Sequence, residues 1–311
     1  MSRLAYLFPG QGAQAVGMGK AFYDRFQASR EIYKQANAKL GFDVTALCFE
    51  GPLEALTKTE RCQPALFVTS LAACVALGEI APSLRPVGVA GLSLGELTSL
   101  AVAEAFSVPD GLYLVQARAE AMAECIASHP GGMLAVIGLT RETIQPVCEQ
   151  SGVWAANYNA QDQIVLSGTV EGIEKAQGFA KAAGAKRAVT LAVAGAFHSP
   201  LMHSAADTFR HALSQVSFRQ PRVPVISNVT GLPLQDAREI PAILVKQIVS
   251  PVLWEPSMRY LIDAGATRFI EFPPAGVLTG LLRRIDPAVK GLAIDEPHDF
   301  EALSDLLAFS A

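Results

Sequence analysis

The chain has 311 residues, 50% of them hydrophobic and 17% charged, so it can bury a large core and is not a disordered chain. Its formal net charge of −4 excludes the broad Lys/Arg excess of a nucleic-acid-binding protein, so an anionic ligand needs a local basic patch. The five cysteines are scattered and lack the spacing of a zinc site, which predicts buried thiols in a reducing compartment.

The first residues, MSRLAYLFPGQG, predict a strand followed by a turn. They contain no apolar core or small-residue cleavage site of a signal peptide. No apolar span of 18 residues is apparent further along the chain. We therefore expect a cytoplasmic protein that does not enter a membrane.

Short apolar runs then alternate with segments of helical period. LAYLF is a predicted strand, a helix extends to about Leu40, QPALFVTSLAACVALGEIA is a further helix, VGVAG is a second strand, and helices extend from Leu94 to about Ala127. This alternation is typical of an α/β protein in which helices cover both faces of a mostly parallel sheet.

The middle of the chain has a different pattern. From roughly Ser128 to Ala194 it reads as strand, helix, strand, helix, strand, which predicts a small ferredoxin-like α+β insert. The pieces VPVISN, RFIEF and GLAID then complete the first sheet. We expect a hydrolase-like catalytic domain formed by residues 1–127 and 195–311, with residues 128–194 as the small domain.

Ser93 lies between Gly91 and Gly95 in the Gly-x-Ser-x-Gly arrangement of a nucleophile elbow, after a predicted strand and before a predicted helix. Such a tight turn leaves no room for neighbouring Cβ atoms. The backbone N–H of Leu94, at the helix start, would face a substrate carbonyl. The pattern also occurs in ordinary glycine turns, but the flanking strand and helix favour a nucleophile.

A serine nucleophile needs a base, and the chain has five histidines. His198, in AGAFHSP, lies at the mouth of a predicted helix beside small residues that let another loop approach. It is the best candidate, and a capping or core histidine is the alternative. His203 is poorly spaced to share a helix face with it, which disfavours a metal pair.

The segment FPGQGAQ ends the first predicted strand. Gly10 and Gly12 would let the backbone approach a bound group, and the N–H of Gln11 could be a second oxyanion donor beside Leu94. The alternative is a phosphate-binding turn. It is disfavoured because GQGAQAVG is neither a Walker A sequence nor a regular GxGxxG motif.

Arg118 lies on an apolar helical stripe with Val115, Met122 and Cys125. A guanidinium on such a stripe is costly to bury unless an anion meets it. The anion could be an internal Asp or Glu, or it could be a substrate carboxylate held bidentately. In the second case Met122 would line the same substrate pocket.

Six segments together, FPGQGAQ, GLSLGE, QAR, GAFHSPLM, VKQIVSPVLW and VLTGLLRRI, resemble the malonyl-CoA:acyl carrier protein transacylase family. The resemblance covers nearly the whole chain in order and spacing. It implies ping-pong transfer of a malonyl group from malonyl-CoA to the phosphopantetheine thiol of acyl carrier protein, for fatty-acid or polyketide synthesis. It also implies a monomer that needs no metal or other cofactor.

The resemblance further implies roles for individual residues. Ser93 would be acylated, His198 would be its base, and Arg118 would grip the malonyl carboxylate. A backbone carbonyl, that of Gln247, would orient His198 in place of an Asp. The residues expected to contact CoA from the insert are Asn157, Asn159, Lys186 and Arg187.

Two features of the chain bear on these expectations. Where the family usually has a Gly-Pro-Gly loop, this chain has EFPPAGVLTG, in which Pro273 and Ala275 stiffen the loop beside the pocket or the carrier contact. The phenylalanine of AFHS is similar to the malonyl-selective form of the family. A thioester hydrolase and a catalytically silent carrier-binding protein are the rival interpretations.

Overall fold

The computed structural model describes residues 3–193 and 195–303, and its strands form two sheets. The strands are β1 (Arg3–Phe8), β2 (Gly88–Gly91), β3 (Gly132–Ile137), β4 (Trp154–Ala160), β5 (Gln163–Gly168), β6 (Arg187–Thr190), β7 (Val225–Ile226), β8 (Ala266–Glu271) and β9 (Lys290–Ala293). The helices are α1 (Lys20–Arg25), α2 (Gln27–Leu40), α3 (Val44–Glu50), α4 (Leu53–Thr57), α5 (Thr59–Ile80), α6 (Leu94–Val102), α7 (Val108–Ser128), α8 (Arg141–Ser151), α9 (Val170–Ala182), α10 (His203–Leu213), α11 (Ile240–Val249), α12 (Trp254–Asp263) and α13 (Val277–Ile285).

The first sheet is parallel, with the strand order β7-β2-β1-β8-β9. Its central strands are short apolar runs whose residues are buried on both faces, as expected for a parallel sheet between helical layers. Phe8 pairs with Gly91, so β1 and β2 end side by side. The two loops that follow them therefore leave the sheet at the same carboxyl edge, where α/β folds place ligands.

Helix α5 is the longest apolar helix among the described residues. By length and composition alone it could cross a membrane, since its most apolar 18-residue window has a mean hydropathy of 1.5, a run that the sequence analysis did not single out. In the structure 72% of that window is buried, and α5 packs against α2, α6 and α7. A helix that is apolar all round is typical of the interior of a large protein.

The second sheet is antiparallel, with the order β4-β5-β3-β6; α9 packs on its strands, and α8 packs beside α9 and shares the sheet's hydrophobic core. This is the strand order of a ferredoxin-like fold, so the predicted fold class is confirmed. Strand β4 was not predicted from the sequence. Its sequence, WAANYNA, lacks the β-branched residues that mark a strand.

The second sheet has a hydrophobic core of its own, which includes Leu134, Ile144, Ile164 and Leu166. It is also tied to the rest of the chain, because Tyr158 and Ala156 of β4 exchange backbone hydrogen bonds with Val252, of 2.9 and 2.8 Å. The domain limits at residues 127/128 and 194/195 stay predictions, and Ala194 lies outside the described residues.

Candidate active site

Ser93 occupies a sharp turn between β2 and α6. Its φ of 54° and ψ of −102° lie where side-chain-bearing residues are rarely found, so the surrounding contacts must hold it there. One such contact is the bond from the Ser93 backbone N–H to Asn228 Oδ1, 2.7 Å long. Leu94 is the first residue of α6, and the first N–H groups of a helix have no partner inside it.

The flanking glycines are required by close backbone contacts. A Cβ added to Gly91 would lie 1.9 Å from the carbonyl of Gly95, and one added to Gly95 would lie 2.2 Å from the carbonyl oxygen of Phe8. A Cβ on Gly10 would lie 2.5 Å from the carbonyl oxygen of Leu92. The elbow and the loop after β1 are therefore packed backbone to backbone, which brings Gln11 and Leu94 to one place.

His198 lies beside the serine. Its Nε2 is 2.8 Å from Ser93 Oγ, and its Nδ1 is 2.9 Å from the backbone carbonyl oxygen of Gln247. A carbonyl can only accept, so Nδ1 carries the proton and Nε2 is free to accept the serine proton. Burial and then the charge of Arg118 lower the pKa of His198 to about 4, so the imidazole is neutral near pH 7.

Arg118 is 2% exposed and points at the nucleophile. Its Nη2 donates to Ser93 Oγ over 3.0 Å and to Gln247 Oε1 over 2.9 Å, and its Nη1 donates to Gln63 Oε1 over 2.5 Å. All three hydrogen bonds in the described part of the chain go to neutral groups. Burial lowers the pKa of Arg118 to about 10, against the opposing effect of Glu96, so it stays a cation.

Four buried side-chain groups of this site were missed by the sequence reasoning. The Gln247 amide contacts Arg118 and Ser93, Gln63 holds Arg118, Asn228 holds the elbow, and Glu96 lies behind them. Two of these residues had a usable signal. Glu96 is a lone acid in the apolar helix LGELTSLAV, and Asn228 follows a parallel strand next to β2.

A cavity of about 280 Å³ opens in front of the serine, between the two sheets. It gathers most of the predicted site residues: Gln11, Ser93, Leu94, Arg118, Met122, Asn157, Asn159 and His198. Gln247 lies behind it and reaches it through its hydrogen bonds. Lys186 and Arg187 are exposed at the start of β6 and are not among the residues that line the cavity, so their contact with CoA stays a prediction.

The wall of the cavity opposite the serine comes from the second sheet. Asn157 and Asn159 are 7% and 8% exposed, and Asn159 Oδ1 has no hydrogen-bond partner in the described part of the chain. Met133 and Val165 add apolar surface beside them. Asn159 lines the cavity, and a buried acceptor without a protein partner in such a residue indicates a place for a ligand donor.

The unusual Pro273–Ala275 loop leads directly into a third wall. The Pro273 carbonyl accepts from Ser70 Oγ over 2.6 Å, and the Ala275 N–H donates to Asp295 Oδ1 over 2.8 Å. The buried carboxylate of Glu271 accepts two N–H groups of the first turn of α13, each over 2.8 Å. Val277, Leu278 and Leu281 of that helix line the cavity.

The chain is similar to known proteins over nearly its whole length. The family model described as acyl transferase domain matches residues 5–288. Malonyl CoA-acyl carrier protein transacylase of Bacillus subtilis strain 168 is 39% identical over 306 residues, which are 97% of this chain and 96% of that protein.

Solved structures agree with the sequence comparison. An acyl-carrier-protein S-malonyltransferase from Burkholderia pseudomallei is 38% identical and superposes with a TM-score of 0.94, covering 98% of this chain and 100% of that one. A malonyl-transacylase solved in complex with its type II PKS acyl-carrier protein is 34% identical, with a TM-score of 0.94 over 98% and 99% of the two chains.

Proposed function

This chain belongs to the acyl transferase family and is an acyltransferase, and from that premise we propose that it transfers a malonyl group from malonyl-CoA to the phosphopantetheine thiol of an acyl carrier protein. The relatives that span its full length carry the name of this reaction. The transfer would supply two-carbon units for fatty-acid or polyketide chain extension.

The observation that carries the proposal is the position of Arg118. Its guanidinium is buried, touches the nucleophile oxygen at 3.0 Å and bonds only neutral groups in the described part of the chain. In a malonyl thioester the free carboxylate is two bonds from the reacting carbonyl carbon. A cation beside Ser93 Oγ can therefore meet that carboxylate while the thioester carbon faces the serine.

In the first half-reaction His198 Nε2 takes the Ser93 Oγ proton as Oγ bonds to the thioester carbon. The carbonyl electron pair moves to the oxygen, and the N–H groups of Gln11 and Leu94 stabilise that oxyanion. Collapse of the tetrahedral intermediate breaks the carbon–sulfur bond. The CoA sulfur leaves with the proton from His198, and the malonyl group remains as an ester on Ser93.

The second half-reaction is the reverse of the first with a new thiol. His198 takes the proton of the phosphopantetheine thiol, and the sulfur attacks the malonyl ester carbon. Collapse returns the proton to Ser93 Oγ and releases malonyl-carrier. The overall transfer exchanges one thioester for another and is nearly thermoneutral, so the site must exclude water from the ester rather than drive the transfer.

Intact mass spectrometry after brief exposure to malonyl-CoA tests the proposal, with Ser93→Ala as the control. We expect a malonyl adduct on the wild type only, which disappears when holo-acyl carrier protein is added while malonyl-carrier forms. Free CoA without a lasting adduct or malonyl-carrier would mean that water is the acceptor. The protein would then be a hydrolase.

Phe197 supports malonyl over methylmalonyl as the acyl group. It lines the cavity beside His198 and is 7% exposed, so a methyl branch on the substrate would meet a ring that is already packed. One extra methyl group in a tight pocket is typically worth about tenfold or more in kcat/KM. Competition between the two CoA esters measures this preference directly, and a preference for the branched ester would reject it.

We propose, further, a cytoplasmic monomer that works without metal or other cofactor. The five cysteines are unpaired and four of them are buried, which suits a reducing compartment. The nucleophile, base, oxyanion donors and carboxylate clamp all come from one chain. Light scattering at enzyme concentrations used for kinetics, together with activity after chelation, tests these points.

A further inference from the structure

Glu96 is a buried acid that the mechanism above does not use. It lies in the first turn of α6, three residues after Ser93, and is fully buried. One of its oxygens, Oε2, accepts from Gln247 Nε2 over 2.6 Å and from the Asn228 backbone N–H over 3.3 Å. An isolated charge is costly to bury, so a carboxyl group at this depth must be either protonated or paired with a cation.

The Gln247 amide connects Glu96 to Arg118. Its Nε2 donates to Glu96 and also to the Ser93 backbone carbonyl over 2.9 Å, so its two hydrogens point away from Arg118. Its Oε1 therefore faces Arg118 and accepts from Nη2 over 2.9 Å. A single amide group separates the acid from the guanidinium, and each of the two charges acts on the other's pKa.

The charge balance of the site changes when a substrate carboxylate arrives. Before substrate binds, an ionised Glu96 balances the buried cation of Arg118. A malonyl carboxylate on Arg118 would place a second anion beside the same cation. Two acids that share one buried cation cannot both stay ionised without a large cost, and the one with the higher pKa takes a proton.

We propose that Glu96 is the internal counter-ion of Arg118 and takes up one proton from solvent when the malonyl carboxylate binds, so that it sets the preference for carboxylated over uncharged acyl groups. This inference rests on the proposed function, since it requires a carboxylate at Arg118. Burial already raises the pKa of Glu96 to about 7, and the second anion raises that pKa well above neutral, so Glu96 is protonated in the bound state at the pH values where it is ionised without substrate.

Other ionisable groups around α6 do not explain such a proton. The helix packs against α5, α7, β1, β2 and β7. Among the described residues, Arg118 of α7 is the one charged group that acts on Glu96, and Gln247 and Asn228 are neutral. His198 has its pKa lowered to about 4, and Arg118 titrates near 10, so both keep their state around neutral pH.

The direction of the pH effect follows from proton uptake. Below about pH 7 Glu96 is already protonated in the empty site and binding takes up little. Above that pH the proton must come from solvent, so the affinity for a carboxylated substrate falls by up to about tenfold per pH unit. Acetyl-CoA carries the same CoA without the carboxylate and takes no part in this exchange.

The test is the ratio of kcat/KM for Ser93 malonylation to that for acetylation, over about pH 6 to 8.5. The shared CoA phosphates and His198 cancel in the ratio. We expect a flat ratio at low pH and a fall above about pH 7 in the wild type. Glu96→Gln keeps an acceptor for Gln247 but cannot ionise, so its ratio should be flat. Glu124→Gln makes the same change on the exposed face of α7 and should keep the wild-type slope.

A flat wild-type ratio, or an unchanged slope in Glu96→Gln, would overturn the inference. Proton counting by calorimetry on Ser93→Ala, in two buffers of different ionisation enthalpy, gives an answer even if Glu96→Gln fails to fold. Malonyl-CoA should take up close to one proton more than acetyl-CoA at about pH 8, and equal uptake would reject the proposal. If no malonyl adduct forms on the wild type at any pH, it is the proposed function that fails instead.

Discussion

The two sheets contribute opposite walls to one cavity, and the walls differ in how completely their polar groups are bonded. On the first-sheet side Ser93, His198 and Arg118 already have protein partners for their reacting atoms. On the second-sheet side Asn159 Oδ1 has no partner in the described part of the chain. The difference indicates that the catalytic geometry is preformed, whereas the binding wall is completed by a ligand.

We call the side with Ser93, His198 and Arg118 the first wall and the side with Asn157 and Asn159 the second wall. Changes to the first wall should lower kcat/KM for acylation strongly, whereas changes to the second wall should raise KM with little effect on kcat. The largest effect is expected for Ser93→Ala, because the covalent route depends on this oxygen. Acylation by malonyl-CoA should fall by at least about 10⁴-fold, measured by rapid quench and mass spectrometry. If this variant still formed the adduct, the nucleophile would be another residue, and the assignment of catalysis to the Ser93 side of the cavity would be wrong.

Arg118→Met comes next, because it removes the cation and keeps an unbranched side chain. Malonyl-CoA should lose about 10²- to 10³-fold in kcat/KM, as expected for a buried charge pair that loses one partner. Acetyl-CoA should change far less, since it has no carboxylate. An equal loss of kcat/KM for malonyl-CoA and acetyl-CoA would mean that Arg118 positions Ser93 and does not bind the malonyl carboxylate.

The second wall should respond more weakly. Asn159→Ala removes an unpartnered acceptor, so KM for malonyl-CoA should rise about 5- to 10-fold with little change in kcat, the size of one hydrogen bond. Ser167→Ala is the matched control. Ser167 Oγ is also buried without a partner in the described residues, on the same sheet, but it does not line the cavity. A similar rise in both variants would mean that the sheet, and not a ligand contact, is responsible.

The smallest expected effect is that of a lower pH on the rate of Ser93 acetylation. Because burial and Arg118 hold the pKa of His198 near 4, the base stays unprotonated as pH falls toward that value. Acetylation of Ser93 should fall less than about twofold from about pH 8 to 6, whereas an ordinary histidine would lose about fourfold. A fourfold loss in the pH–rate profile would show that the imidazole is better solvated than its burial suggests.

The first wall was also the easier one to predict. Ser93, His198 and Arg118 stand in short local patterns whose chemistry restricts the residue types, and the resemblance supplied the Gln247 carbonyl. The carbonyl–Nδ1 distance of 2.9 Å agrees with that expectation. The predicted parallel and ferredoxin-like sheets were confirmed for a similar reason, because alternating apolar runs and helical periods are local signals.

What could not be predicted depends on contacts between distant segments. Asn228 and Ser93 are 135 residues apart in the sequence, and Gln247 and Glu96 are 151 residues apart. No local sequence pattern around these residues therefore predicts that they are hydrogen-bonded. Strand β4 is held by its neighbours and not by its own propensity. The apolar length of α5 was overlooked although it could be counted, and its burial needed the fold.

Initial rates test whether both substrates use one cavity in turn through an acylated Ser93. Malonyl-CoA would be varied at several fixed concentrations of holo-acyl carrier protein, with malonyl-carrier as the product measured. We expect parallel double-reciprocal lines, because CoA leaves before the carrier thiol enters. Lines that intersect would require both substrates to be bound together, and would contradict a shuttle through Ser93.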